Sequence, residues 1–173
     1  MDLIYLDPPF NSRRSYNVLF KEANGRAADS QIRAFDDTWS WAEIAEATLR
    51  EIETTADPHV AEMMQAIVGF VGRNDVSAYL VMMTVRLIEL HRILKATGSI
   101  YLHCDPTASH YLKMLMDAVF GARYFQNELI WHYQTGGASK VRFSRKHDTI
   151  FWYTKSKQWK YYGNRIAIPR TRK

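Results

Sequence analysis

The chain has 173 residues and a formal net charge of +5; 47% of its residues are hydrophobic and 24% are charged. This composition is typical of one folded domain and excludes an intrinsically disordered chain. No uncharged run is longer than 11 residues, which excludes a membrane-spanning helix. Cys104 is the only cysteine, so an internal disulfide is excluded, and the N-terminus lacks a basic signal-peptide start. Together these features predict a cytoplasmic protein.

The charge is distributed unevenly along the chain. Residues 1–139 contain 12 Lys or Arg and 17 Asp or Glu, whereas residues 140–173 contain 11 Lys or Arg and one acid. The net charges are therefore −5 and +10. A segment this basic binds phosphates without regard to sequence, which favours a nucleic-acid partner. The alternative is a solvated, frayed terminus.

The first predicted element is a short buried strand over residues 3–6, which must end at Asp7-Pro8-Pro9 because two prolines fit neither a helix nor a strand ladder. Residues 11–40 are polar and predict a long loop. A helix is predicted over residues 41–55, with Ser40 as its N-cap and Glu43 completing a capping box.

Two further helices are expected next in the chain. Pro58 begins a helix that reaches about residue 73, with Met63, Ile67, Phe70 and Val71 on one face. Asn74 or Asp75 caps a helix to residue 95, and its predicted buried residues are Tyr79, Leu80, Met83, Leu87, Leu90 and Leu94. Gly98 follows the end of that helix.

The second half of the chain alternates between strand and helix patterns. Strands are predicted over residues 99–104, 128–133 and 148–154, and weakly over 158–162, with a helix over 105–120 and a basic Gly-Gly loop over 134–147. Alternating strands and helices indicate an α/β layered domain with a mostly parallel sheet. Ligands bind at the carboxyl ends of strands in such sheets, which is where Asp7 and His103-Cys104-Asp105 lie.

The motif Asp7-Pro8-Pro9-Phe10 has the chemistry to hold an amino group. The Asp7 carboxylate only accepts hydrogen bonds, and the rigid proline pair keeps the Pro8 carbonyl beside it. An exocyclic amine on a nucleobase has two N–H donors to offer, and Phe10 supplies a flat face on which the base could stack. A base within a duplex reaches such a pocket only by flipping out. The alternative is a tight Pro-Pro turn in which Asp7 serves as a turn acid.

The sequence resembles the DNA amino-methyltransferases that use S-adenosylmethionine and modify adenine N6 or cytosine N4. The resemblance covers nearly the whole chain and rests on residues 3–12 as catalytic strand and motif. It extends to residues 87–95 and 98–105 as the following helix and strand, and to residues 147–155 as a late strand that lines the base pocket.

The resemblance implies a three-layer, Rossmann-like, doubly wound sheet that is mostly parallel, with one antiparallel hairpin. It implies that Asp7 and the Pro8 carbonyl hold the target amine, with Pro9 stiffening the turn and Phe10 stacking on the base. Asp7 is also the candidate contact to S-adenosylmethionine. The amine then attacks the methyl group directly, so Cys104 is not needed as a nucleophile. Asp at the first motif position is more typical of adenine-N6 enzymes, whereas Ser marks cytosine-N4 enzymes and Asn marks protein-glutamine enzymes.

The chain departs from this family in one respect: it has no glycine-rich cofactor loop. We therefore expect an incomplete fragment, with residues 1–155 as part of the catalytic domain and 156–173 as the start of a basic DNA-recognition region or tail. Two alternatives stay open. The chain is a non-catalytic DNA-binding module, or it is a half-enzyme that is inactive without a partner segment that binds the cofactor.

Other candidate residues concern DNA and metals. Asn11 and the basic segment with Lys140, Arg142, Arg145 and Lys146 are the candidate DNA contacts, since regularly spaced cations can follow phosphates. No metal site is expected, because His103 and Cys104 would point to opposite faces of a strand. Trp39 and Trp41 are expected to pack against the helices, and the aromatic residues between 152 and 162 are expected to pack on a sheet face. DNA is the expected partner, with a restriction subunit or a cofactor-binding segment as further candidates.

Overall fold

The computed structural model describes residues 1–9, 14–17, 33–37, 40–134 and 140–166. In chain order the elements are β1 (Leu3–Leu6), β2 (Arg14–Asn17), β3 (Arg33–Asp37), α1 (Glu43–Thr55), α2 (Pro58–Val71), α3 (Asp75–Ile93), β4 (Ser99–Cys104), α4 (Ser109–Met116), β5 (Phe125–His132) and β6 (His147–Thr154). A π-helical turn, Asp117–Gly121, and two 3-10 turns, Ala122–Tyr124 and Gly163–Arg165, complete the regular structure of these residues.

The main sheet has four strands in the order β1-β4-β6-β5. Only β1 and β4 are parallel, with Ile4 opposite Ile100, whereas β6 runs antiparallel to both β4 and β5. The mixed α/β class and the antiparallel hairpin are confirmed. The prediction of a mostly parallel sheet is wrong for the described strands, because β6 runs antiparallel to both of its neighbours and none of the described residues between β5 and β6 is helical.

The strands of the sheet present two different faces. In β4, Ile100, Leu102 and Cys104 are buried, while Tyr101 and His103 alternate with them on the other side. The helices pack on the first face. On the second face, Leu3 and Tyr5 are exposed, and Tyr101 stacks on Trp152 with ring centroids 5.6 Å apart. The described residues thus form two layers, and the three-layer Rossmann-like arrangement is not confirmed.

The hydrophobic core lies between the helices and the first face of the sheet. Both the helices and the sheet contribute fully buried side chains to it, among them Met64, Tyr79, Leu80, Met83, Leu87, Ile100, Leu102, Leu112, Leu115, Met116 and Tyr153. Burying each such side chain stabilises the fold by about 1.5–3 kcal/mol. The predicted inner face of α3 is confirmed, although Leu90 is only half-buried. Phe70 was predicted on the inner face of α2 but is 83% exposed, because the helix turns Val60, Met64 and Ile67 inwards instead.

The helix starts match the sequence patterns only in part. Asn74 caps α3 by accepting from the backbone N–H of Val76 and Ser77, and Ser77 completes a capping box. The predicted Ser40 cap of α1 is wrong. This helix begins at Glu43 after Ala42, which makes no side-chain cap, and Glu46 one turn later instead accepts from Trp41 and Arg73. Trp41 is half-buried against the core, as expected.

Several segment predictions need correction. The helix expected over residues 105–120 is a shorter α4 that continues as the π-helical turn to Gly121, whose φ of 89° ends it. Part of the expected 11–40 loop is the antiparallel pair of β2 and β3. Residues 158–162 form no strand. Tyr161 and Tyr162 are exposed, but Tyr161 packs on Trp152 of β6 as expected, with ring centroids 5.2 Å apart. None of the helices in the described ranges is long and apolar enough to cross a membrane.

Candidate functional site

Asp7 lies directly after β1, at the carboxyl end of the strand that pairs in parallel with β4. Its side chain is 55% exposed, whereas Pro8 is buried and Pro9 is half-buried. The chain therefore turns here with a rigid, sheltered proline pair behind an accessible carboxylate. Phe10 and Asn11, which complete the predicted motif and its DNA contact, lie outside the described residues.

His103 of β4 is the nearest side chain from the neighbouring strand. The parallel pairing sets Tyr5 opposite Tyr101, so His103 falls two positions further on, beside the end of β1. Its Nδ1 lies 3.0 Å from Tyr5 Oη and 3.8 Å from Asp7 Oδ1. The imidazole is 13% exposed and faces away from the core, while the adjacent Cys104 is buried on the core side. Adjacent residues on opposite faces confirm the expected alternation.

Asp148 approaches His103 from the other side. The antiparallel pairing of β4 and β6 sets His103 opposite Ile150. Asp148 lies two residues before Ile150 in β6 and therefore on the same face. Asp148 Oδ2 lies 3.4 Å from His103 Nε2, and its side chain is only 19% exposed. The imidazole is thus held between two carboxylates and one phenol.

Two tyrosines near this site have raised pKa values, first because of desolvation and then because of the nearby carboxylates. Desolvation and the nearby Asp7 carboxylate raise the pKa of Tyr5, so the phenol keeps its proton. Desolvation, followed by Asp148 and Asp105, raises the pKa of Tyr133. Asp105 itself accepts from the backbone N–H groups of Thr107 and Ala108, and so acts as a capping residue before α4.

The Cys104 thiol does not contribute a reactive group to this site. Its Sγ is fully buried and donates weakly to the Thr149 carbonyl at 3.5 Å. Burial, and then Asp105 and Asp148, raise the pKa of this thiol far above neutrality. Since the thiolate is the reactive form, Cys104 is inert.

Basic side chains lie close to the site along the chain. Lys140, Arg142 and Arg145 are exposed, and Lys146 is half-buried with its carbonyl accepting from the Tyr133 N–H at 3.0 Å. Phe143 lies among them and is fully exposed. This segment leads into β6 two residues before Asp148. Its positive charge therefore adjoins Asp7 and Asp148, the two carboxylates that flank His103 and form the carboxylate cluster of this site.

The residues brought together differ from those that the sequence predicted. Asp7, Pro8 and Pro9 are at the expected strand end, and the predicted strand-end segment with His103 lies beside them. No individual role was predicted for Tyr5, His103 or Asp148. The alternation within β4 shows that His103 faces away from Cys104. Only the register of β6 against β4, which links residues about 45 positions apart, brings Asp148 to it. Among the described residues no three His, Cys, Asp or Glu side chains are grouped so as to hold a metal ion.

Glycines near strand ends are what a phosphate- or nucleoside-binding cradle needs, and the described residues do not supply them there. Gly69 lies within α2 and Gly72 at its end. Gly98 packs against Leu94, whose Cδ1 would be 2.7 Å from a Cβ placed on this glycine. None of the described glycines adjoins the carboxyl end of β1. The described residues therefore offer an exposed carboxylate but not a complete pocket for a nucleoside cofactor.

Comparison with known proteins adds a family. A family model described as DNA methylase (N6_N4_Mtase) matches residues 1–173. The chain is similar to the type II methyltransferase M.BglII of Bacillus subtilis, with 26% identity over 104 residues. It is also similar to the type III restriction-modification enzyme StyLTI Mod subunit of Salmonella typhimurium, with 27% identity over 134 residues, and to the EcoP15I Mod subunit of Escherichia coli, with 22% over 156 residues.

The matches cover much of this chain but little of the relatives. They span 56%, 76% and 90% of the chain, respectively, but only 29%, 17% and 21% of the length of those three proteins.

Proposed function

The chain belongs to the DNA methylase family, and on that premise we propose that it is the base-holding part of a DNA amino-methyltransferase. The observation that carries the proposal is the accessible Asp7 carboxylate at the end of β1, backed by the buried Pro8 and flanked by His103. The methyl donor that the family implies is S-adenosylmethionine. Because the described residues do not complete a site for it, every role proposed below belongs to the chain's own side chains.

The proposed role of Asp7 and Pro8 is to hold the exocyclic amine of a flipped base. An aromatic amine is a poor nucleophile because its nitrogen lone pair is conjugated into the ring. Two acceptors that bind both N–H groups draw the nitrogen towards a tetrahedral geometry and free that lone pair. The Asp7 carboxylate is one acceptor and the Pro8 carbonyl is the other, and the proline pair keeps their separation constant. Catalysis of this kind rests on positioning and electrostatics rather than on a covalent intermediate.

The proposed partner is DNA, and the proposed product is N6-methyladenine. Asp7 favours adenine over cytosine by the family resemblance, with Phe10 stacked on the base. Asn11 and the exposed Lys140, Arg142 and Arg145 would contact the phosphates on either side, with Lys146 completing this set. We also propose a restriction-modification context, since two relatives are Mod subunits of type III restriction-modification enzymes.

The experiment that tests this function measures which base, if any, becomes methylated. The chain is incubated with unmethylated plasmid DNA and labelled S-adenosylmethionine, and the digested nucleosides are separated by mass spectrometry. We expect N6-methyladenine with the wild type and at least a 100-fold loss with Asp7→Ala, in line with the removal of a transition-state hydrogen-bond acceptor. Glu62→Gln, which removes an exposed carboxylate on α2, is the matched control and should keep full activity.

Other outcomes lead to different functions. N4-methylcytosine as the product would correct the base but keep the class of reaction. Activity that survives Asp7→Ala would contradict the role of Asp7.

A half-enzyme is the second candidate, and the lack of a glycine cradle among the described residues favours it. It predicts no product from the chain alone and recovery of N6-methyladenine on mixing with a segment that binds the cofactor. A non-catalytic DNA-binding module predicts salt-sensitive DNA binding and no product in either case.

A further inference from the structure

A methyl transfer to an amine creates a proton that must leave, and the site contains a group suited to take it. An amine nitrogen that took a methyl group from a sulfonium donor, which would leave as the neutral sulfide, would become cationic and would have to release one N–H proton. Asp7 is the carboxylate that would hold that proton first. Asp7 cannot hold the next amine until it has passed that proton on, so this carboxylate is a poor final acceptor. An imidazole is better matched to that task.

The contacts of His103 assign its hydrogen to one nitrogen. Asp148 Oδ2 lies 3.4 Å from Nε2 without the alignment of a hydrogen bond, and the charge of this acceptor-only carboxylate favours the tautomer that carries its hydrogen on Nε2. Nδ1 is then the nitrogen with a lone pair, and Tyr5 Oη donates to it at 3.0 Å. The raised pKa of Tyr5 is consistent with this, since a protonated phenol is needed as the donor.

The same geometry leaves Nδ1 facing the Asp7 carboxylate. Asp7 Oδ1 lies 3.8 Å from Nδ1, about 1 Å beyond a charge-assisted hydrogen bond. The Asp7 side chain is 55% exposed, so rotation about its Cα–Cβ bond can close that gap. After proton uptake, the imidazolium would lie between two carboxylates, Asp7 and Asp148, and both would stabilise it. An acid that fixes the tautomer of an imidazole and stabilises its cation is a known catalytic arrangement.

The geometry points to His103 as the residue that takes up the proton released by the target amine, acting through Asp7 and held in place by Asp148. This inference rests on the proposed function and deepens it. In the step, the N–H bond of the methylated amine breaks, its electron pair stays on nitrogen, and the proton passes to the Asp7 carboxylate. It then passes to Nδ1 of His103, from which solvent removes it. Tyr5 releases Nδ1 as Asp7 approaches.

Several charged and titratable groups of the described residues lie around His103. They are Tyr5 and Asp7 from the β1 side and Asp148 from β6, with Asp105 and Tyr133 near the same sheet end. Asp105 is already engaged by the backbone N–H groups of Thr107 and Ala108. Asp7 and Asp148 are therefore the carboxylates whose removal should alter the behaviour of this imidazole.

The first test needs neither cofactor nor DNA. Nitrogen-15 NMR of the histidine-labelled chain at pH 8 reports which imidazole nitrogen is protonated, and the His103 signals are assigned by their absence in His103→Gln. We expect the Nε2–H tautomer in the wild type and a mixture in Asp148→Asn. A wild-type His103 with its hydrogen on Nδ1 would overturn the inference, because that nitrogen could not accept a proton.

The second test compares rates across pH. We expect His103→Gln to lower the single-turnover methylation rate about 10- to 100-fold, with DNA affinity unchanged. The same variant should also differ from wild type in the pH dependence of this rate. His110→Gln, which changes an exposed histidine on α4, is the matched control. A His103→Gln protein that is folded by NMR and keeps both the wild-type rate and the wild-type pH profile would refute the inference.

The two tests separate this inference from the proposed function. A wild-type chain that modifies no base, alone or with a cofactor-binding segment, overturns the proposed function and, with it, the proton step. The tautomer is decided by NMR in any case. If the wild type and Asp7→Ala behave as proposed but His103→Gln is unaffected, the function stands and only the role of His103 is wrong.

Discussion

Tyr153 illustrates how one residue in the core depends on a polar partner. Its side chain is fully buried in β6, and its hydroxyl donates to Asp117 Oδ1 at 2.6 Å. Asp117 also accepts from Lys113 Nζ at 2.7 Å, and this ammonium lies over the rings of Phe125 and Tyr153. Burial and the bond to Asp117 raise the pKa of Tyr153, so the phenol is a permanent donor. The sequence predicted a sheet-packing aromatic, not this network.

Tyr153→Phe should lower the free energy of unfolding by about 1–2 kcal/mol, because Asp117 loses a half-buried, charge-assisted hydrogen bond at the margin of the core. Tyr161→Phe is the matched control, since its hydroxyl belongs to a ring that is 53% exposed. Urea denaturation followed by circular dichroism measures both. Equal midpoints for the two variants would show that the Tyr153–Asp117 bond contributes nothing.

Cys104 supports a second prediction at this scale. Because the thiol is buried and its pKa is raised, it should react with a thiol reagent only as fast as the chain unfolds. Cys104→Ala should therefore leave any methyl transfer by the chain within about twofold of wild type. Rapid labelling of the native chain, or loss of transfer in a folded Cys104→Ala protein, would contradict this.

The end of α3 depends on a residue far along the chain. Lys155, just after β6, donates from Nζ to the carbonyls of His91, Arg92 and Leu94. The last carbonyls of a helix lack partners within the helix and carry its partial negative charge, so an ammonium there is favourable. This contact joins α3 to the end of β6 that lies opposite the carboxylate cluster. No local pattern in either segment predicts it.

We expect Lys155→Met to destabilise the chain by about 1–3 kcal/mol, because three carbonyls lose a charged donor while the apolar stem is kept. Lys157→Met, which changes an exposed lysine two residues further on, should have no effect beyond about 0.5 kcal/mol. Thermal and urea unfolding measure both. A Lys155→Met protein as stable as wild type would mean that water replaces the lysine at no cost.

His91, on the same turn of α3, predicts a pH dependence of stability. Its ring is half-buried edge-on to Phe120, with centroids 4.9 Å apart, and burial, then Lys155, lower its pKa. A lowered pKa means that the unfolded state binds the proton more readily, so stability is intact above pH 6.5 and falls as the pH drops below it. The thermal midpoint should therefore decrease between pH 7.5 and 5.5, and less so in His91→Gln. An identical decrease in both proteins would assign the effect to other groups.

On the scale of the whole molecule, the basic segment and the Asp7 motif are far apart along the chain but meet at one end of the sheet. The acidic residues 1–139 supply the helices, most of the core and Asp7, while the basic residues 140–173 begin beside Asp148. A carboxylate cluster alone would repel DNA. The adjoining exposed cations offset that repulsion and can hold phosphates while a base approaches Asp7.

The basic segment predicts a salt-dependent affinity for DNA. Replacing Lys140, Arg142 and Arg145 together by Ala should weaken binding and reduce the slope of log K against log salt by about 1 for each phosphate that the variant no longer binds. The matched control removes three exposed arginines from the helices: Arg50, Arg86 and Arg92. Fluorescence anisotropy with a labelled duplex at several salt concentrations measures both. Equal slopes in the two triple variants would move the DNA surface elsewhere.

Local patterns are sufficient to predict much of this chain. The strand before Asp7, the helical spacing through α2 and α3, the Asn74 cap and the alternation in β4 all depend on near neighbours, and the structure contains them. The prediction that β1 is buried is wrong, because Leu3 and Tyr5 are exposed. The resemblance to DNA amino-methyltransferases is also local, because it rests on short motifs, and the family match over the whole chain confirms it.

Other features are decided only when distant segments pair. The strand order, the antiparallel share of the sheet and the exposed side of Phe70 follow from packing that no single window of sequence contains. The same is true of the contact between His103 and Asp148, since moving β6 by one residue against β4 would turn Asp148 to the opposite face. Asp7 can thus be predicted from its motif, whereas the groups beside it depend on strand register.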